Sequence, residues 1–316
     1  MRLKVALPIR ESKNMTTSQP WISVIIPSHN RGELLRRAVD SALRQSHVDP
    51  GFEVVVVDDA SDVPVDVSLA DVTDPRLRIV RSERNIERGA SRNLGAKLAE
   101  APLLAFLDSD DEWLPEKLSR QIPLTPARGA SVTGMVNVDE QGRTFSDERV
   151  PPRDAHHHIA RTNLFYGSGS SLVIDRESFD AVGGYPEERA VQGAEDWVLL
   201  VRLARAGIPP TIVPFTGVRV HVHPGNSTAD PSNAEATWPA LDLMEREGLV
   251  VEPELSLARH GKAVNIARQF VRARQPKNAV PWLRQAWSWG TPIAFLRSAP
   301  LVLASGLASV LPRRGW

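Results

Sequence analysis

The sequence predicts an α/β fold, a sheet with parallel strands flanked by helices and followed by a C-terminal helical extension. Three observations carry this expectation. Short β-branched apolar runs alternate with amphipathic helical stretches from residue 21 onward, two of those runs end abruptly in carboxylates, and from about residue 234 only helical periodicity remains.

Residues 21–27, WISVIIP, form a β-branched apolar run closed by proline, the pattern of a strand buried on both faces. In ELLRRAVDSALRQS the apolar Leu34, Leu35, Ala38, Val39, Ala42 and Leu43 recur on one helix face, with arginines opposite. FEVVVVDDAS supplies a second buried strand that stops at Asp58 and Asp59. Strand, helix and strand within about 40 residues make a βαβ unit, which brings both strand ends to one ligand-binding sheet edge. LRIVRSE (77–83) continues as a strand, residues 90–101 as a helix, and LLAFLDSDDEW as an apolar strand running into acids. Pro115 fits the first turn of a helix through Leu118 and Ile122, and Pro123, Pro126 and Gly129 mark a connection. VTGMVNVD reads as a strand and RVPPRDAHHHIARTN as a surface loop, with His156 to His158 solvated. GSGSSLVIDRESFDAVGGYPE gives a turn, a strand through Ile174, a short helix and a double-glycine stop. In GAEDWVLLVRLARAGIPP, Trp197, Leu200, Val201 and Ala204 share a helical face, and Glu195 and Asp196 fall in the first turn, where the helix dipole favours negative charge. TIVPFTGVRVHVHPGNST predicts a strand or hairpin leading into a loop, and residues 234–289 predict helices, the last of which can pair as a hairpin.

Composition narrows the function classes. Across 316 residues, 38 Lys plus Arg balance 38 Asp plus Glu, which argues against a general nucleic-acid binder. With 42% hydrophobic and 24% charged residues the chain can bury a sizeable core, so wholesale disorder is excluded. The absence of cysteine rules out disulfides, thiolate metal sites and a cysteine nucleophile, so any metal must bind oxygen or imidazole. Residues 1–20 read as a loose tail, because the apolar stretch Val5 to Ile9 is too short for a signal-peptide core. No run reaches the roughly 20 apolar residues that span a bilayer.

Three acidic sites stand out: Asp58 with Asp59, then Asp108, Asp110 and Asp111, then Glu195 with Asp196. Each alone has an ordinary explanation as a turn, a solvated loop or a helix cap. Carboxylates directly after buried strands are nevertheless costly to desolvate without a cation or donors, and three acids within four residues invite a divalent metal such as Mg2+ or Mn2+.

Their order is informative. PSHNR after the first strand, VVDDAS after the second, the stretch from Asn85 to Gly95 with GASRNLG, then FLDSDDEW and AEDW closely resemble the inverting family 2 glycosyltransferases over about residues 21–228. The resemblance implies the GT-A fold, a Rossmann-like mixed sheet flanked by helices that binds a nucleotide-diphosphate sugar, most often uridine-linked. It implies that Pro27, His29, Arg31 and Asp59 bind the donor nucleotide, with Asp59 at the uracil-contacting position and Arg92 near the diphosphate. Asp108 and Asp110 match the family's DxD, on ribose and metal. Asp111 overlaps that motif, leaving Asp110 and Asp111 both open as metal ligands, with Mn2+ or Mg2+ as cofactor. His223, before Pro224 and Gly225, matches a histidine that closes over the diphosphate or metal, whereas His221 stands where many relatives carry arginine. Asp196 matches the general base and Glu195 a residue that helps position the acceptor. Glu87 departs from the pattern by replacing a common glycine.

The implied reaction is one in-line displacement: Asp196 takes the acceptor hydroxyl proton, the oxygen attacks the anomeric carbon, and the nucleoside diphosphate leaves with its charge stabilised by the metal. The acceptor class is a glycan, lipid-linked or protein hydroxyl. A sugar-nucleotide nucleotidyltransferase is the competing enzyme class, but PSHNRGELL lacks a glycine-rich basic phosphate loop. A binding protein on a decayed scaffold is disfavoured by the intact acids.

The chain divides into a tail (1–20), a transferase domain (21–229, with a nucleotide-binding half 21–122 and an acceptor-binding half 123–229) and a basic helical region (230–316). Zero net charge conceals an asymmetry, since all ten basic residues after Glu254 lack any acidic counterpart. With four tryptophans and the fourteen-residue stretch Ser298 to Leu311, residues 255–316 are expected either to attach to an anionic membrane, at the inner face of the cell membrane in a cytoplasmic protein, or to pack on the acidic domain.

Overall fold

The computed structural model describes residues 21–48, 51–139, 141–161, 168–222, 235 and 237–289. Its eight strands are β1 (Ile22–Ser28), β2 (Phe52–Asp58), β3 (Leu77–Arg81), β4 (Leu103–Phe106), β5 (Asp111–Trp113), β6 (Ala130–Val138), β7 (Val173–Asp175) and β8 (Thr211–His221). They form one sheet in the order β3-β2-β1-β4-β7-β6-β8-β5. β3, β2, β1 and β4 run parallel, so the ends of β1, β2 and β4 open onto one edge, while β7 is antiparallel to β4 and β5 to β8. The sheet is therefore mixed.

Helices cover both faces: α1 (Gly32–Leu43), α2 (Val65–Ser68), α3 (Glu87–Leu98), α4 (Lys117–Gln121), α5 (Ser168–Ser171), α6 (Arg176–Ala181) and α7 (Glu195–Arg205), followed by α8 (Thr237–Arg246), α9 (Glu254–Arg272) and α10 (Pro276–Trp289). All seven residues of β1 are buried because its two faces feed two cores. Val24 and Ile26 pack with Leu35, Ala38 and Val39 of α1, whereas Ile25 joins Phe106, Trp197 and Leu200 on the other side. That alternation is the two-residue repeat of a strand.

At four points the structure refines or departs from the sequence expectation. Asp111–Trp113 does not end the β4 strand but crosses to the far edge and pairs with β8, where its exposed backbone groups find partners. Of the strand or hairpin expected over TIVPFTGVRVH, β8 is the strand, eleven residues long. α7 is buried around most of its surface, including Val198, Leu199 and Leu203, because it lies between the sheet and the later helices. Within the expected surface loop, Ala155, Ile159 and Ala160 are buried, while His157 and His158 are exposed.

The helical region is continuous with the α/β core. Ala240, Leu241, Met244, Leu255 and Ala258 share one apolar cluster with Trp197 and Leu200, across the expected boundary at 229/230. α9 and α10 then pair through Ile266, Ala267, Phe270, Ala279 and Leu283. Of the ten basic residues after Glu254, Arg259 and Lys262 turn inward, whereas Arg268, Arg272, Arg274, Lys277 and Arg284 are exposed. Arg297, Arg313, Arg314, the stretch Ser298 to Leu311 and the tail 1–20 lie outside the described residues. Among the described residues no helix is long and apolar enough to cross a membrane.

Candidate active site

A cleft of about 370 Å³ opens at the ends of β1, β2 and β4. Its first wall comes from the loops after β1 and β2, which are clasped together. Asn30 adopts a left-handed backbone, its N–H donates to Ser61 Oγ (3.0 Å), and its Oδ1 accepts from the Asp62 N–H (2.8 Å). The clasp brings His29 to Asp59, whose carbonyl accepts from His29 Nδ1–H at 2.7 Å. The two aspartates of VVDDAS divide their roles. Asp58 is turned inward, accepting from the Ser61 and Val65 N–H groups and from Arg81. Burial alone would raise its pKa, but these donors outweigh it and hold the carboxyl below its ordinary range. Asp59 lines the cleft and is steadied by the Ile86 N–H (2.7 Å) and Ser82 Oγ (3.2 Å).

Asp108, Asp110 and Asp111 form the floor, each offering an oxygen within 4.8 Å of the others. Ser170 of α5 organises them, accepting from the Asp108 N–H (3.1 Å) and donating to Asp111 Oδ2 (2.5 Å). Asp111 Oδ1 is buried with no hydrogen-bond partner. Burial first, then the charges of Asp110 and Asp108, push the Asp111 pKa well above the usual carboxylate range. A Cβ at Gly169 would come within 2.6 Å of Asp108 Oδ2, so only glycine leaves that carboxylate its room. Arg31 approaches Asp110 Oδ2 at 3.6 Å, and Arg37 donates to the Asp110 carbonyl at 3.3 Å. The cluster is short of positive charge and has an orphaned oxygen, which is the condition that a divalent cation relieves.

Arg92, on α3, crosses beneath the cleft. Its guanidinium is buried, donates to Glu195 Oε1 at 2.8 Å and to Asp108, and lies over the Tyr185 ring. Burial would lower its pKa, yet Asp108 and Glu195 reverse that and raise it well above the ordinary arginine value. Glu195 has both oxygens engaged, the second by the Gly193 N–H. Asp196, half-buried, lines the opposite wall and accepts from the Trp197 N–H at 2.7 Å.

The family 2 glycosyl transferase model matches residues 23–183, more than half of the chain. The chain belongs to glycosyl transferase family 2. It is 30% identical over 66% of its length to the succinoglycan biosynthesis protein ExoO of Rhizobium meliloti, and the match spans 62% of that relative, under two-thirds of its length. It is 31% identical over 60% of its length to the putative teichuronic acid biosynthesis glycosyltransferase TuaG of Bacillus subtilis, covering 75% of TuaG. Among solved structures, S. aureus TarS in complex with UDP-GlcNAc superimposes with a TM-score of 0.61 at 19% identity, covering 90% of this chain and 87% of that one. The mannosyltransferase PcManGT of Pyrobaculum calidifontis, in complex with GDP-Man and Mn2+, gives 0.57 at 20% identity, with 91% and 81% covered. The fold is accordingly GT-A.

In this transferase Pro27, His29, Arg31, Asp59, Arg92, Asp108, Asp110, Asp111, Glu195 and Asp196 all line one cleft. His223 lies outside the described residues. His221 is buried on β8, which pairs with the strand that begins at Asp111; its Nε2 lies 3.4 Å from Glu112 and its backbone N–H is directed to the Asp111 carboxyl. Glu87 has a left-handed backbone, φ +70°, the region that favours glycine, and pairs with Arg189 at 2.8 Å. Ser170, Gly169 and Tyr185 were not legible as site residues. GSGSS reads only as a turn, and nothing local ties it to acids some 60 positions earlier.

Proposed function

We propose that the transferase is metal-dependent and inverting, and moves a sugar from a uridine-diphosphate donor to a hydroxyl in polysaccharide or glycoconjugate synthesis. The observation that carries this reading is the opposition, across one cleft, of a carboxylate cluster with an unsatisfied buried oxygen to a helix-borne carboxylate, Asp196. Asp110 and Asp111, with Asp108 beside them, would hold Mn2+ or Mg2+. Such an ion supplies positive charge that stabilises the departing diphosphate. Asp59 offers a carboxylate acceptor to the nucleobase, beside His29 and Pro27. Asp196 takes the proton of the acceptor hydroxyl as its oxygen bonds to the anomeric carbon. The bond to the diphosphate breaks on the opposite face, so the configuration inverts without a covalent intermediate. Glu195, with both oxygens engaged, holds Arg92, and Arg92 keeps the helix that bears Asp196 in register with Asp108. Support comes from relatives named for succinoglycan and teichuronic acid synthesis and from neighbours solved with UDP-GlcNAc or with GDP-Man and Mn2+.

A panel of nucleoside diphosphates and nucleotide sugars, scored by Mn2+-dependent thermal stabilisation, tests the donor side. UDP compounds should stabilise the parent and fail to stabilise Asp110→Asn, and stabilisation by no donor would sink the reading. On the acceptor side, Asp196→Asn should bind donor normally and lose transfer. The same proposal includes an acceptor that is a glycan, lipid-linked or protein hydroxyl, and attachment of residues 255–316 to an anionic membrane. Deleting residues 291–316 should release the protein from anionic liposomes, and unchanged binding would refute attachment.

A further inference from the structure

The α9 helix carries a lysine where the heptad-like spacing calls for an apolar residue. Ala258 and Ile266, one turn to either side of Lys262, are fully buried, and Lys262 itself is 9% exposed. Its ammonium lies 3.8 Å from the centre of the Trp197 ring. That ring is fixed, since its indole N–H donates to the Ile159 carbonyl at 2.6 Å. The backbone N–H of the same tryptophan donates to Asp196 Oδ1. Lys262 is set back from the cleft, whose described lining includes Asp196 but not the lysine.

We propose that Lys262 is a positioning residue for the catalytic base: from behind Trp197 its ammonium favours the ionised form of Asp196, which couples the helical extension to the chemistry. The proposal rests on Asp196 being the base.

The surrounding charges leave this pairing distinct. On α8, Asp242 and Glu245 are both engaged by Arg259, at 3.0 and 2.7 Å. On α9, His260 is turned toward α10, where its Nδ1 meets the Ala286 carbonyl at 2.8 Å. α10 has no acid. The segment beneath Trp197 carries Asp154, His156 and Arg161. Burial lowers the Lys262 pKa to about 8, and among the described residues the charge that opposes the fall is Asp196. A buried charge that only filled space would be better replaced by an apolar chain of similar volume.

The test compares Lys262→Met with the parent in the pH dependence of kcat. Removing a cation raises a neighbouring carboxylate pKa, so the acid limb should move upward by about one unit, with the plateau near neutral pH within about twofold. A merely structural lysine would alter the plateau or the melting temperature and leave the limb where it was. That result would overturn the proposal. The reciprocal measurement needs no variant of the lysine. The chain has only six lysines, so the Lys262 resonance can be followed in lysine-labelled protein, and its titration should move to lower pH in Asp196→Asn. An unmoved titration also counts against the coupling. Retained transfer in Asp196→Asn overturns the base assignment and this proposal with it. An inactive Asp196→Asn combined with an unmoved acid limb in Lys262→Met overturns the Lys262 proposal alone.

Discussion

Removing the Arg92 charge should loosen both walls of the cleft at once. The Arg92 and Glu195 side chains are 2% and 4% exposed, so Arg92→Met strands a carboxylate that is almost wholly shielded from water. Breaking a buried pair in this way costs about 3–5 kcal/mol, far more than the ordinary surface pair. The Asp108 arm counts for less, because that side chain is 32% exposed and can be resolvated. The expected loss is therefore about 3–4 kcal/mol, dominated by Glu195. It can be read from the urea midpoint by the fluorescence of the buried Trp113 and Trp197. The double variant Arg92→Met, Glu195→Gln removes the stranded charge and should recover about 1–2 kcal/mol. Loss of the guanidinium also frees Asp108, so added Mn2+ should stabilise Arg92→Met more than the parent. A single-variant loss under about 1 kcal/mol, or a double variant no more stable than the single, would mean that the bridge is not an energetic unit.

Further expectations concern backbone and pH. Glu87 holds a left-handed conformation that costs a side chain about 1–2 kcal/mol, so Glu87→Gly should be near neutral despite losing the exposed Arg189 pair, whereas Glu87→Val should cost about 2 kcal/mol or more in urea unfolding. A Cβ at Gly89 would come within 2.3 Å of the Pro186 carbonyl oxygen, so Gly89→Ala should cost about 1–3 kcal/mol and lower kcat by shifting the segment that leads into α7. Gly261, on α9 with nothing within 4 Å, is the contrasting case: Gly261→Ala should raise stability by about 1 kcal/mol. The folded pKa of Asp58 lies below its unfolded value of about 3.9, so its contribution is present above that pH and disappears as the pH falls through the folded value. Asp58→Asn should flatten the acid side of the stability curve, and an unchanged acid slope would remove Asp58 from the account.

The elements that sequence reveals are those whose pattern is local. β1, α1 and β2 carry strand and helix periods within their own residues, and the ends of β1, β2 and β4 bring Asp59 and Asp108 to one edge by topology alone. β5 had no such signal: three residues with two charges have no period, and their place is set by pairing with Val218, Arg219 and Val220. The resemblance singled out Asp59 from the VVDDAS pair, but the residues alone do not divide it, because the donors that turn Asp58 inward include Arg81, 23 positions away. The Arg92 bridge joins residues 103 positions apart in a chain rich in arginine, and no local rule chooses that partner. Lys262 counted in the sequence only as one of the ten basic residues after Glu254, because its neighbour Trp197 belongs to a different part of the chain.

The zero net charge of the chain has no counterpart in the cleft. Asp108, Asp110, Asp111, Glu195 and Asp196 line it, and Arg92, fully committed to Asp108 and Glu195, neutralises only part of that charge. Arg31 and Arg37 approach Asp110 from the rim, yet Asp111 remains buried with an unsatisfied oxygen and a strongly raised proton affinity. The deficit is thus concentrated at the donor end, where a divalent ion arriving with a diphosphate would relieve it. At the other end the Lys262 ammonium lies over Trp197, the residue that follows Asp196. One cleft therefore holds two carboxylate environments with different sources of positive charge. On the function proposed above, the first depends on a ligand and the second is built into α9, which is the physical condition for keeping a metal-binding group and a proton acceptor distinct within one cleft.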